Sequence, residues 1–86
     1  MIMGIDVTID LDALSNLAKD YWFLDDYTSD DSTDQFRAFT RLLKAALGDS
    51  YREVLKKLQG DDPVLATDKV SDFTIEVFKA NEALKN

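Results

Sequence analysis

Neither cysteine nor histidine occurs among the 86 residues. Their absence removes disulfides, thiolate nucleophiles, imidazole acid-base catalysis and nearly every zinc, copper or haem site. With only three glycines and one proline, the chain is neither collagen-like nor a flexible low-complexity polymer. No stretch approaches the ~20 apolar residues that span a bilayer, so no membrane partner is expected. The opening MIMGIDVTID has neither the basic region nor the apolar region of an export signal, and Gly4 does not directly follow the initiator methionine as myristoylation requires. The expectation is a protein that stays in the cytoplasm. Walker, GxGxxG and Ser/His motifs are missing as well.

What is present is a chain with 45% hydrophobic and 10% aromatic residues. At this length it makes one domain, residues 1–86, because so short a chain buries only about 60 to 65% of its unfolded surface and cannot divide one core into two. Basic residues are fewer than acidic ones, 10 against 17, for a net charge of −7. A field of that sign repels nucleic acid and suits a basic or neutral partner.

The charge is unevenly spread. Residues 1–36 carry nine aspartates and the single base Lys19, whereas residues 37–86 carry nine bases and eight acids. Two readings follow: the halves attract within one monomer, or the acidic half presents a field to another protein.

Ile5, Val7 and Ile9 alternate with polar residues, so residues 1–10 read as a short extended arm that pairs with a partner strand or frays. After Asp10 or Asp12 as cap, Leu14, Leu17, Ala18, Tyr21 and Leu24 recur at helical spacing and predict a first helix over about 12–26. An acidic loop, DDYTSDDSTD, occupies 25–34. Ser32 with Gln35 suggests a capping box for a second helix, whose face is Phe36, Phe39, Leu42, Leu43, Ala46 and Leu47, ending at Gly48. Ser50 with Glu53 repeats the capping pattern before a short third helix (Tyr51, Val54, Leu55, Leu58) stopped by Gly60. A last helix opens at Thr67 or Asp68, with Val70, Phe73, Thr74, Val77, Asn81 and Leu84 on one side. The fold class is all-α: a small four-helix domain with a short extended N-terminal arm.

Carboxylates are the main chemical resource, but their spacing does not make a calcium loop. An EF-hand from Asp26 or Asp30 needs glycine at its sixth position and glutamate at its twelfth, and finds Asp31 and Arg37, or Gln35 and Arg41. The remaining cation candidate is a weak, irregular cluster of Asp25, Asp26, Asp30, Asp31 and Asp34, set against a solvated acidic loop. A two-carboxylate hydrolase needs a cleft that this length leaves little material to build. The expectation is no enzyme, no cofactor and no resident metal.

Surface features point to protein contacts. Arg37, Arg41 and Lys44 fall within about 60° of one another at about 100° per residue. They form a basic stripe beside the apolar face, able to pair with the chain's own acids or with an acidic patch on a second copy. In Tyr21-Trp22-Phe23-Leu24 four apolar side chains point around nearly the whole helix, with Phe23 about 180° from Leu14 on one continuous helix. Ile75 and Phe78 lie to the side of the Val70-Phe73-Val77 stripe, next to Glu82. Either a small core buries Trp22, Phe23, Ile75 and Phe78, or they bind another molecule, a homo-oligomeric copy included.

In sequence order these features resemble the small tail assembly chaperones of long-tailed bacteriophages. The matching segments are IDVTIDLDAL, the aromatic-leucine run at 21–24, the acidic linker, LLKAALGDSY at 42–51, VLKKLQG, DDPVLATDKV and DFTIEVF, over roughly residues 6–79. This copy departs in a linker heavy in serine and threonine. The resemblance implies a protein that keeps the tape-measure protein soluble and helps recruit major tail protein subunits around it. Such a protein works in the cytoplasm of the infected host and is absent from the mature virion. Families of this kind often add a longer, frameshifted form. The other class in view is a small acidic inhibitor, of immunity or anti-restriction type, that neutralises a basic partner; a plain structural subunit of the tail is a third.

Overall fold

The computed structural model describes the backbone of residues 1–85 and side chains through residue 80. The fold is all-α, with α1 (Leu11–Leu17), α2 (Tyr21–Tyr27), α3 (Ser32–Leu47), α4 (Tyr51–Gln59) and α5 (Thr67–Lys85). A single 3-10 turn, Gly48–Ser50, joins α3 to α4. All four predicted helical segments are present, and the first is divided in two.

The division falls at Asp20, which is extended (φ −82°, ψ 117°). Its carboxylate accepts from the Trp22 amide at 2.9 Å and the Phe23 amide at 3.3 Å, satisfying two of the free amides that begin α2. An aspartate inside a continuous helix could do neither. Asp10 caps α1 in the same manner, accepting from the Ala13 amide at 3.0 Å. Each of these helices has 7 residues, too few to be stable in isolation, and both are held by packing on α3.

α3 is the mast of the molecule, and α1, α2, α4 and α5 all pack against it. Its buried side chains are Ala38, Leu42, Leu43, Ala46 and Leu47. The alanines at 38 and 46 let neighbouring elements approach closely while the leucines fill the space between them. Asp31, not Ser32, caps α3: its carboxylate accepts from the Thr33 amide at 2.8 Å. The predicted partner Gln35 instead donates to the Ser29 carbonyl at 2.6 Å. The second capping box is also absent, because the Ser50 hydroxyl turns back to the Leu47 carbonyl at 2.7 Å. Gly48 and Gly60, at φ 55° and 60°, end α3 and α4 in a conformation that side-chain-bearing residues rarely adopt.

α5 buries Val70, Phe73, Thr74 and Val77, the predicted stripe. The Thr74 hydroxyl donates to the Val70 carbonyl at 2.7 Å, so its burial leaves no polar group unsatisfied. Asn81, Glu82 and Leu84 have side chains outside the described residues.

The N-terminal arm neither pairs with a strand nor frays. Ile2 and Ile5 exchange both backbone hydrogen bonds at 2.9 Å around a tight turn. Met3 and Gly4 at its centre both have positive φ, 49° and 79°, as a type I′ turn requires. Ile2 and Ile5 are buried, Val7 and Ile9 pack half-buried on the core, and the Asp10 amide donates to the Ala46 carbonyl at 2.9 Å. The acidic loop is shorter than expected, since α2 runs to Tyr27 and α3 begins at Ser32.

Candidate protein-interaction site

The sequence offered seven surface residues, and the fold sorts them. Phe23 is a correction: it is 1% exposed and belongs to the core. The expected outward direction assumed one helix from 12 to 26, whereas the extended Asp20 resets the helical phase, so angles measured from Leu14 do not carry across it. Phe78 lies between the two readings. It is half-buried and stacks on Tyr27 with ring centroids 5.7 Å apart and planes at 23°. Tyr27 is the hub of an aromatic cluster that also takes in Phe23 at 5.6 Å and Phe39 at 6.0 Å, tying α2, α3 and α5 together.

Trp22 and Ile75 do face outward. Trp22 is 70% exposed and meets the exposed ring of Tyr21 edge-on at 5.2 Å, with Leu24 also exposed on α2. Ile75 is 41% exposed and lines an open groove of about 790 Å³ with Met1, Ile2, Met3, Asp72, Glu76, Lys79 and Ala80. One wall is α5, and the other is the N-terminal turn. The methionines were missed in sequence because nothing in their spacing shows that the turn at Met3 and Gly4 folds the arm back on α5. Along the α5 wall Lys79 pairs with Glu76 at 3.6 Å, leaving apolar surface flanked by one unpaired carboxylate, Asp72, among the described residues.

The basic stripe is mostly spent inside the monomer. Arg41 binds Asp20 at 3.0 Å, and Arg37 lies 3.5 Å from Asp26 and 3.2 Å from Asp34. The Asp20 and Asp26 contacts join the start and body of α2 to α3, while the Asp34 contact lies within α3, and together they follow the first of the two readings, attraction between the charged halves inside one monomer. Lys44 instead sits 5.7 Å above the Tyr51 ring, a cation-π contact. The Asp20 carboxyl is held below the ordinary aspartate value, first by the hydrogen bond from Arg41, then by the Phe23 and Trp22 amides and the Arg41 charge, with desolvation opposing them.

The acidic loop is organised by its own helix ends. Ser29 donates to Asp34 at 2.9 Å and accepts from the Asp31 amide at 3.1 Å. Among the described residues no three acidic side chains converge in a way that could hold a metal ion. No helix among them is long and apolar enough to cross a membrane. Comparison of the chain with known protein families, with curated proteins and with solved structures finds no match.

Proposed function

We propose that this protein acts by binding other proteins rather than by catalysis, as a phage tail assembly chaperone of the kind its sequence resembles. The observation that carries this reading is the groove between the N-terminal turn and α5: methionines and Ile75 open to solvent on a chain of net charge −7. Methionine side chains adapt to varied apolar partners, and an amphipathic helix laid into such a groove buries its apolar face. The net charge keeps the loaded complex soluble. The partner is the tape-measure protein, covered before assembly in the host cytoplasm, with major tail protein subunits recruited afterwards and the chaperone released from the finished particle.

The test is co-expression with the tape-measure protein encoded by the same phage. The wild-type chain should raise the soluble fraction of that protein, and Ile75→Glu or Met3→Glu, both at exposed positions, should lose the effect while retaining the helical circular dichroism of the parent. If solubility is unchanged by the wild-type chain, the reading fails. If binding instead targets a basic enzyme and collapses between low and moderate salt, the acidic-inhibitor class replaces it.

A further inference from the structure

Positive charge collects along α4. Arg37, Arg41, Lys69 and Lys79 each face a carboxylate. Apart from Lys19, the basic side chains that enter no ion pair among the described residues are gathered here: Arg52, Lys56 and Lys57 on α4, and Lys44 above the Tyr51 ring. They border a hollow of about 310 Å³ whose lining contains no carboxylate. Tyr51 and Leu55, with Leu65 from the segment that follows the helix, form its floor, and Arg52, Lys56 and Gln59 form its rim. Each floor residue is half-buried, with one side on the core and the other open.

An apolar floor inside a positive rim selects an occupant on two counts, because apolar side chains must arrive beside carboxylates. Its size adds a third. From Tyr51 to Gln59 the lining follows about 12 Å of helix, room for about four extended residues. The occupant is therefore a short segment. A second copy of the chain would bring its whole net charge of −7 against another of −7. Nucleic acid meets the same opposing field. A short acidic segment presents its carboxylates to the rim with much less of that repulsion.

We propose that the α4 hollow docks a short acidic segment of a different protein, with one or two apolar side chains on Tyr51, Leu55 and Leu65 and carboxylates against Arg52 and Lys56. The α5 groove shares no residue with this hollow, and its unpaired charge among the described residues is the carboxylate of Asp72. The two sites thus favour segments of opposite charge, and this one does not rest on the partner proposed for the groove.

A fluorescein-labelled peptide of about ten residues, with leucine and phenylalanine set among glutamates, tests the proposal by anisotropy against the full chain. It should bind, and added salt should weaken it. In spectra of the isotope-labelled chain, amides of residues 51–59 and Leu65 should shift while those of residues 72–80 stay in place. Glutamine in place of the peptide's glutamates, or serine in place of its apolar residues, should each weaken binding about 10-fold or more. Arg52→Gln with Lys56→Gln, both at exposed positions, should weaken the original peptide as much, and Arg52→Glu with Lys56→Glu further. Circular dichroism confirms that both variants still fold. Absence of binding, equal binding by the substituted peptides or by the charge variants, or shifts confined to the α5 groove would overturn the proposal. So would displacement of the peptide by single-stranded DNA, or by a second copy as the protein alone is concentrated.

Discussion

Tyr27 stacks on Phe78 with centroids 5.7 Å apart, and this contact links α2 to α5 across the edge of the core. Such a pair contributes about 0.5 to 1.5 kcal/mol beyond the area it buries. A double-mutant cycle of Tyr27→Leu and Phe78→Leu, read by urea denaturation, should return a coupling energy in that range. Additive single effects would mean that the two rings are adjacent without being energetically linked.

Two adjacent aromatics should behave in opposite ways. Phe23 is 1% exposed and Trp22 is 70% exposed. Phe23→Ala should cost about 3 to 5 kcal/mol, the range for truncating a buried phenylalanine. That is much of the roughly 4 to 13 kcal/mol expected for a domain of this size. Trp22→Ala should change stability by no more than about 0.5 kcal/mol. Equal losses in the two denaturation midpoints would contradict the break at Asp20 that turns one ring inward and the other out.

Asp20 should set part of the acid limb of stability. Its folded pKa lies below the ordinary aspartate value of 3.8, so its contribution is fully present above that value and is lost as pH falls toward the folded pKa. Asp20→Asn keeps a capping side chain but cannot be ionised and gives up the charge on Arg41's partner. The variant should unfold earlier than wild type in urea at pH 7, and the gap should narrow as the buffer is taken below pH 3.8. A gap that is constant across this range would separate the residue's role from its charge.

The long periodic stretches were legible in sequence because their helical faces are one-sided: Leu42, Leu43, Ala46 and Leu47 on α3, and Val70, Phe73, Thr74 and Val77 on α5, are buried as their spacing implies. The break between α1 and α2 was not, since no glycine or proline marks it. At the break Asp20 binds Arg41, 21 residues away, and caps two amides that a mid-helix carboxylate could not reach. That single hidden break misdirected Phe23. The cover on Phe78 was not legible either, because its partner Tyr27 falls in the run read as an acidic loop over 25–34, whereas α2 extends to it. Trp22 and Ile75 were found outside the core, but Met1 and Met3 were not anticipated beside Ile75, since a methionine at positive φ in a tight turn is a choice made by the packing of Ile2 and Ile5 rather than by local preference.

The arm is the last element whose role the fold makes testable. Alternating residues at a chain end are ordinarily the first to fray, yet here Ile2 and Ile5 are buried in the core, and the Asp10 amide is tied to the Ala46 carbonyl at the C-terminal end of α3. Ile5→Ala should therefore destabilise the whole domain, by about 2 kcal/mol, the low end for an isoleucine truncated in a core, because the site lies near the surface and can partly close. Met3→Gly, which relieves the positive φ at that position, should offset part of the loss when the two are combined, since the turn that carries Ile5 into place becomes easier to form. Hydrogen exchange distinguishes this from local fraying: in Ile5→Ala the protected amides of α3 should exchange faster along with the arm. If only residues near the arm lose protection and the denaturation midpoint holds, Ile2 and Ile5 decorate the core without supporting it.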